Sequence, residues 1–147
     1  LVKINKVGKY IQSKFANKYY NEIGLGIDFT ARDVQNQLKE KGLPWEKAKA
    51  FDGSAVIGEK WISKEKISDL QNMNFSLEKN GAIVQQGNTS QMLWKIDEII
   101  AYVSQFFTLK IGDVIFTGTP KGVGKVYPED ILTGKIEEKD IFEIKVK

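Results

Sequence analysis

The sequence predicts an α+β fold that is mainly β, with many short strands and a few helices beside them. Short apolar or alternating segments recur along the chain, and glycine or asparagine separates many of them. Few segments have the apolar spacing of a helix. These elements do not follow the regular strand–helix alternation of a doubly wound sheet, so a mixed, mainly β domain is expected instead.

The first part of the chain is expected to hold a strand and a short helix. Leu1 to Ile4 reads as a strand already under way. Ser13 is a suitable N-cap for a helix over residues 14–21, because its side-chain oxygen can accept from the first free amides. Phe15 and Tyr19 would then lie on one side of this helix.

A strand followed directly by a helix is expected next. Leu25 to Phe29 alternates as a strand does, and Thr30 can cap a helix over residues 31–41. Asp33 lies three residues after Thr30 and completes a pattern similar to a capping box. Gly42 is suited to end the helix, since glycine readily adopts the left-handed conformation found at helix C-termini.

One helical turn, a short strand and a hairpin are expected in the middle of the chain. Trp45 to Ala50 has the pattern of a helical turn, and Ser54 to Ile57 is a short apolar segment between two glycines. Asn80-Gly81 separates two further apolar segments, residues 75–77 and 82–84. Because asparagine and glycine accept the left-handed conformations of a type I′ turn, these segments are expected to form a hairpin.

The longest helix is expected to begin at Thr89 or Ser90. Its apolar residues follow the spacing that covers one face of a helix, and they are Met92, Leu93, Ile96, Ile99, Ile100 and Val103. This face is expected to cover a sheet. Further strands are expected over residues 112–117 and 141–146, with a glycine-rich loop at 118–124.

The composition limits the chemistry available to an active site. The chain of 147 residues has no cysteine and no histidine. This excludes disulfides, thiolate and imidazole metal ligands, and histidine general bases. Catalysis would therefore use carboxylates, lysine, hydroxyl groups, backbone amides or a metal ion that prefers oxygen ligands.

Charge and hydropathy argue against two kinds of partner. The 22 basic and 19 acidic residues give a net charge of +3 and are scattered along the chain. They form no basic block of the kind that binds a nucleic-acid backbone. No apolar run approaches the roughly 20 residues of a membrane span, and the start lacks the residue order of a secretion signal. We therefore expect a cytoplasmic protein with neither nucleic acid nor membrane as partner.

An acidic residue at the end of an apolar strand is the first candidate site. Asp28 would be exposed yet rigidly held, with Arg32 and Gln35 nearby in the next helix. Such a junction could give a divalent cation, Mg²⁺ or Mn²⁺, an oxygen ligand with hydrogen-bonding neighbours. Alternatively, Asp33 caps the helix and Arg32 pairs with it on the surface, which is the commoner use of this pattern.

Lys49 is a second candidate. It follows Trp45 and precedes Phe51 in a stretch that is otherwise mostly apolar or small. A lysine in such a place can be partly desolvated and can hold a carboxylate. The alternative is a surface lysine beside Lys47, whose stem packs on apolar groups while its ammonium stays in water.

The glycine-rich segment after the expected strand at 112–117 is the third candidate. Its backbone amides and the Thr119 hydroxyl could approach an anion closely, and Gly118 beside it allows that approach. The glycine spacing differs from that of a nucleotide-binding loop. A simple turn between strands is the alternative to recognition of a carboxylate or an enolate.

Three segments occur in this order along the chain: Gly26-Ile-Asp-Phe-Thr-Ala-Arg-Asp-Val-Gln35, Gly42-Leu-Pro-Trp-Glu-Lys-Ala-Lys-Ala-Phe51 and Gly118-Thr-Pro-Lys-Gly-Val-Gly124. Together they closely resemble the fumarylacetoacetate hydrolase family, and the resemblance covers nearly the whole chain. The Gly-Leu-Pro-Trp segment is most similar to the acylpyruvate hydrolase and oxaloacetate decarboxylase branch. The resemblance implies a mixed β-roll around a distorted barrel of strands, usually paired into homodimers.

The resemblance also implies roles for individual residues. Asp28 matches the aspartate that binds Mg²⁺ or Mn²⁺ in the family, and Arg32 and Gln35 match polar residues that line the same pocket. Lys49 matches the lysine that contacts the substrate and the surroundings of the metal. Thr119, with its neighbouring glycine, matches the loop that holds the substrate carboxylate.

Some family features have no counterpart in this chain. No Glu-x-Glu pair, which supplies the family's other two metal ligands, precedes Asp28. The histidine–glutamate dyad on the family's lid is also missing. Because Leu1 is not a methionine and begins within an expected strand, we expect residues 1–147 to be a single catalytic domain from the C-terminal part of a longer protein.

The implied activity is metal-dependent cleavage of a carbon–carbon bond in small 2,4-diketo acids such as acylpyruvates, through an enolate that the metal stabilises. Lys49 would bind or protonate near that enolate. Oxaloacetate decarboxylation is an alternative because it passes through the same kind of enolate. Isomerisation or hydration of 2-oxo-dienoates is another, and a metal-free binding or scaffold protein is the alternative that is not an enzyme.

Overall fold

The computed structural model describes all residues 1–147 and divides into two compact units. The smaller unit is Gly26–Ile57, and the larger unit consists of Leu1–Leu25 and Gly58–Lys147. Ten strands and four short α-helices confirm the expected α+β, mainly β class. No helix in the structure has both the length and the apolar character needed to cross a membrane.

The strands and helices are numbered in chain order. The strands are β1 (Val2–Ile4), β2 (Tyr20–Ile23), β3 (Gly26–Asp28), β4 (Ala55–Ile57), β5 (Ile62–Ser63), β6 (Asn74–Lys79), β7 (Ala82–Asn88), β8 (Val114–Ile115), β9 (Ile131–Ile136) and β10 (Lys139–Lys145). The helices are α1 (Ser13–Ala16), α2 (Arg32–Glu40), α3 (Glu46–Lys49) and α4 (Ile96–Phe106). Two 3₁₀ turns lie at Lys64–Lys66 and Thr89–Gln91.

The smaller unit is a two-stranded antiparallel ribbon with two helices. β3 pairs with β4, and Asp28 lies opposite Ala55. α2 ends at Glu40, and the expected glycine follows its C-cap: Gly42 has φ +63, and the Leu43 amide donates to the Leu38 carbonyl at 2.9 Å. This left-handed ending satisfies a carbonyl that the helix would otherwise leave free.

The expected cap of α2 is wrong. The residue in the N-cap position is Ala31, and no side chain accepts a hydrogen bond there. The Thr30 hydroxyl instead accepts a hydrogen bond from Lys49, at 2.7 Å. A side chain engaged by a charged donor from another helix is not aimed at the first amides of α2, so the local pattern was overridden by a non-local contact.

The first sheet of the larger unit has the strand order β5-β2-β1-β8, with antiparallel neighbours. It corrects the expected helix over residues 14–21. That helix ends at Ala16, and its N-cap position is Gln12 rather than Ser13. Tyr20 is buried and opposes Ile4 in the ladder. The end of the expected helix therefore belongs to β2, because it pairs with β1.

The second sheet of the larger unit has the order β10-β9-β6-β7, again antiparallel. The predicted hairpin is confirmed, since Asn80 has φ 52 and Gly81 has φ 80 at the turn between β6 and β7. The closing strand expected at 141–146 corresponds to β10. No expectation covered β9, although it lies between two partners and buries Leu132 and Ile136.

The longest helix begins later than expected. The Asn88 side chain accepts from the Ser90 amide and starts a single 3₁₀ turn, and α4 begins only at Ile96. Met92 and Leu93 are therefore outside the helix, and Leu93 is 98% exposed. Ile96 and Ile100 are buried as expected. The strand expected over residues 112–117 is limited to β8.

Candidate functional site

The smaller unit brings Lys49 and Asp28 into direct contact. Lys49 Nζ lies 2.7 Å from Asp28 Oδ2 and 2.7 Å from Thr30 Oγ1. The Lys49 side chain is 35% exposed and that of Asp28 is 51% exposed, so the pair is held in place yet open to a ligand. Lys49 is therefore neither isolated on the surface nor sealed in the core.

Backbone hydrogen bonds fix this arrangement. The Phe29 amide donates to the Ser54 carbonyl at 2.8 Å, which continues the ribbon beyond Asp28. The Ala31 amide donates to the Ala48 carbonyl at 3.1 Å and joins the start of α2 to α3. Because Ala48 is fully buried and precedes Lys49, the short helix has little freedom to turn its lysine away.

Arg32 and Gln35 form a second pair at the start of α2. Arg32 Nη1 donates to Gln35 Oε1 at 2.8 Å, and Gln35 is only 3% exposed. The alternative in which Arg32 pairs with Asp33 is not observed among the ion pairs of the chain. The buried Gln35 therefore holds the Arg32 guanidinium through one of its N–H donors, and the other donors stay available to a ligand.

The glycine-rich loop belongs to the larger unit. Gly118 has φ +119, a conformation that glycine adopts without strain. Thr119 is exposed, and its Oγ1 accepts from Gln85 Nε2 on β7 at 3.0 Å. The loop therefore has a hydrogen-bond partner on β7 of the same unit, which the sequence did not predict.

Two residues of these arrangements were not predicted as site residues. Thr30 follows Asp28 by two positions, and side chains two apart in an extended chain point to the same side. That spacing was a usable signal, but the capping pattern suggested another role for Thr30. Gln85 had no such signal, because its contact with Thr119 spans 34 positions.

The oxygen donors of the Asp28 junction suit Mg²⁺ or Mn²⁺, since both ions prefer carboxylate, carbonyl and water oxygens. The chain contains no convergent group of three or more acidic, histidine or cysteine side chains. Mg²⁺ is commonly held by one or two carboxylates, with substrate and water oxygens completing its coordination. Asp28 therefore fits as one oxygen ligand of such a cation.

Comparison with known proteins identifies the family. Residues 2–147 match the family model described as Fumarylacetoacetate (FAA) hydrolase C-terminal. Oxaloacetate tautomerase YcgM of Escherichia coli strain K12 is 51% identical over 110 residues, which cover 75% of this chain and 50% of that protein. The chain thus spans about half the length of this relative.

Solved structures agree with this match. A protein from Yersinia pestis CO92, assigned to the fumarylacetoacetate hydrolase family, superposes with a TM-score of 0.93 at 38% identity, covering 99% of this chain and 68% of that one. Fumarylpyruvate hydrolase from Pseudomonas aeruginosa, in complex with Mn²⁺ and pyruvate, superposes with a TM-score of 0.88 at 35% identity, covering 99% and 61%.

The fold and the match define a mainly β protein of an enzyme family. The chain belongs to the fumarylacetoacetate hydrolase family, as the sequence predicted. Its relatives carry enzyme names, which supports the prediction that this protein is an enzyme of the family. At least one member of the family binds a divalent metal ion, since the Pseudomonas structure contains Mn²⁺.

Proposed function

We propose that this protein binds a small 2-keto acid of the oxaloacetate class and stabilises its enolate form. The observation that carries this proposal is the Lys49 ammonium, which is held between Asp28 and Thr30 at 2.7 Å from each and remains partly exposed. A fixed positive charge is the group best suited to an oxygen that becomes negative during enolisation. The similarity to an oxaloacetate tautomerase supports this substrate class.

Each predicted site residue has a part in this proposal. Asp28 provides one oxygen ligand for Mg²⁺ or Mn²⁺, and Lys49 holds the enolate oxygen or a neighbouring carboxylate. Arg32, anchored by the buried Gln35, adds hydrogen-bond donors at the same junction. A bound divalent cation would supply Lewis-acid polarisation of the keto oxygen.

Thr119 and Gly118, on the loop of the larger unit, are proposed as carboxylate-binding residues. Thr119 offers a hydroxyl, and Gly118 lets the backbone approach a ligand without hindrance from a side chain. Carboxylate binding at this loop is the expectation that the family resemblance supplies. The homodimer, the cytoplasmic location and the single catalytic domain likewise remain predictions.

Tautomerisation and decarboxylation of oxaloacetate both use such a site. In tautomerisation, a proton moves between carbon 3 and the keto oxygen. In decarboxylation, the bond between carbon 3 and the distal carboxylate breaks, the carboxylate leaves as CO₂, and the bonding electron pair enters the enolate of pyruvate. The tautomerase similarity favours the first reaction.

Hydrolysis of an acylpyruvate is the second candidate, because the Pseudomonas fumarylpyruvate hydrolase superposes over almost all of this chain. Hydrolysis would release an enolate of pyruvate and would need an activated water molecule in addition to the groups described here. Its products, pyruvate and a second carboxylic acid, distinguish it from both reactions of oxaloacetate.

The test is NMR of product formation by the protein expressed from its complete gene. Oxaloacetate and acetylpyruvate are supplied separately with Mg²⁺, and the keto, enol and cleavage products are followed. We expect faster interconversion of the oxaloacetate tautomers, reduced about a hundredfold or more in Lys49→Met. The neighbouring Lys47→Met is the matched control and should retain full activity. No acceleration with either substrate would contradict the proposal.

A further inference from the structure

Gln85 connects β7 to the glycine-rich loop. Its side-chain Nε2 lies 3.0 Å from Thr119 Oγ1 and 3.2 Å from the Pro120 carbonyl oxygen. Gln85 is half-buried in the middle of β7, where it opposes Leu77. The side-chain amide that contacts the loop is thus held by a paired strand.

The two contacts determine which way the amide faces. A backbone carbonyl can only accept hydrogen bonds, so the group facing Pro120 has to be the NH₂ of Gln85. The same NH₂ then donates its other hydrogen to Thr119 Oγ1. An amide with the opposite orientation would set two oxygens against each other. The Pro120 carbonyl therefore fixes Gln85 as a donor.

This orientation has a consequence for the Thr119 hydroxyl. A hydroxyl has one proton and two acceptor positions. Since Oγ1 accepts from Gln85, its own proton does not point along that bond and can be donated to a ligand. An ionised carboxylate can only accept hydrogen bonds, and it accepts them more strongly than a neutral group does, so it matches a hydroxyl held as a donor.

The loop is also held to β7 by close packing that does not involve the Gln85 amide. Gly122 has φ +102, and a Cβ placed there would lie 2.4 Å from the Val84 carbonyl oxygen. A Cβ on Gly87 would lie 3.0 Å from the Pro120 Cβ. These packing contacts hold the loop against β7 independently of the Gln85 amide. The effect of Gln85 on the Thr119 hydroxyl can therefore be tested separately from an effect on the structure of the loop.

We propose that Gln85 is a positioning residue that holds the Thr119 hydroxyl as a hydrogen-bond donor and thereby gives the loop a preference for carboxylate ligands over neutral ones. The inference rests on the proposed function in assigning the substrate carboxylate to this loop. Gln85 itself does not need to contact the substrate. Its effect is exerted through the direction of one hydroxyl proton.

The test compares Gln85→Glu with Gln86→Glu. Glutamate at position 85 keeps the size of the side chain, but its ionised carboxylate can only accept hydrogen bonds. The Thr119 hydroxyl would therefore donate to Glu at this position and would no longer offer its proton to a ligand. Gln86 is exposed and adjacent on β7, and its substitution makes the same change of charge. Gln85→Leu removes the donor without adding charge and serves as a second variant.

The measurement is an NMR titration of the amide signals of Gly118 and Thr119, with Mg²⁺ present, using pyruvate and its neutral analogue pyruvamide. The wild-type protein and Gln86→Glu should bind pyruvate about tenfold more tightly than pyruvamide. Gln85→Glu should lose that preference, and Gln85→Leu should reduce it. Equal affinity of the wild-type protein for both probes, or an unchanged preference in Gln85→Glu, would overturn the inference.

The outcome is separable from that of the proposed function. If Gln85→Glu abolishes the preference but oxaloacetate is not converted by the wild-type protein, the positioning role holds and the proposed reaction fails. If Gln85→Glu converts oxaloacetate with wild-type KM, the positioning role fails and the reaction stands. Unchanged spectra outside the loop would show that the variant is folded.

Discussion

Lys49 donates hydrogen bonds to Asp28 and to Thr30 at the same distance, 2.7 Å, from a helix that follows them by about 20 residues. Asp28 and Thr30 lie two positions apart where β3 gives way to α2, and the ammonium bridges them. One carboxylate and one hydroxyl therefore hold the same cation. This arrangement leads to the first prediction.

Replacing Thr30 with valine should weaken function without unfolding the protein. Valine has nearly the same shape but cannot accept from Lys49, so the ammonium would keep only Asp28 as partner. We expect kcat/KM for oxaloacetate to fall roughly three- to tenfold, the usual range for one hydrogen bond. Thr108→Val, on an exposed threonine, is the control. Equal activity of the two variants would show that Thr30 does not position Lys49.

Replacing Ser104 with alanine should destabilise the larger unit. The buried Ser104 hydroxyl accepts from the Ile11 amide at 2.9 Å, and Ile11 is itself buried. Alanine would leave that amide without a partner, which lowers the free energy of unfolding by about 1–3 kcal/mol. Urea denaturation measures the loss, with Ser90→Ala, an exposed serine, expected to change it little. A loss in Ser104→Ala no greater than in the control would contradict this account.

The turn at Asn80 should make stability depend on pH through Asp130. The side-chain NH₂ of Asn80 donates to Asp130 at 2.7 Å. Together with the backbone amide of Tyr127 and the charge of Lys79, it holds the pKa of the Asp130 carboxyl below its usual value of 3.8. A carboxyl whose pKa is lower in the folded state stabilises the fold above its unfolded pKa. That stabilisation is lost as the pH falls through the folded pKa.

We therefore expect Asp130→Asn to be less stable than the wild type at neutral pH, with the difference shrinking below about pH 4. Urea denaturation across this pH range measures it. Asp52→Asn, at an exposed aspartate, is the control and should follow the wild-type curve. A stability difference that stays constant with pH would show that Asp130 does not act through its charge.

Replacing Gly134 with alanine should strain the second sheet. Gly134 opposes Phe142 across β9 and β10, and a Cβ there would lie 2.3 Å from the buried ring. Moving the ring away should lower the free energy of unfolding by about 1–3 kcal/mol. Gly124→Ala is the control, because nothing lies within 4 Å of its Cβ position. Similar melting temperatures for the two variants would contradict this packing.

Local patterns predicted the elements that depend on local chemistry. The hairpin at Asn80-Gly81 and the helix end at Gly42 are correct because both turns require left-handed conformations that few residues accept. Strand β9 has no comparable marker and depends on partners that are distant in the chain. Tyr20 was assigned to a helix because an apolar residue fits helical spacing as well as a buried strand.

The candidate site shows the same division. Asp28 and Lys49 were identified through family motifs, and the structure brings these two together in the smaller unit. Spacing alone left both with alternative interpretations. The contact of Thr30 with Lys49 and that of Gln85 with Thr119 depend on tertiary structure, so composition and periodicity could not reveal them.

The most direct test of the Asp28–Lys49 site is calorimetric titration with oxalate, a stable analogue of a pyruvate enolate, in the presence of Mn²⁺. The wild-type protein and Lys47→Met should bind oxalate equally well. Asp28→Asn and Lys49→Met should each bind it at least about tenfold more weakly, since each removes one charged member of the pair. Wild-type affinity in Lys49→Met, with a folded protein, would contradict the account.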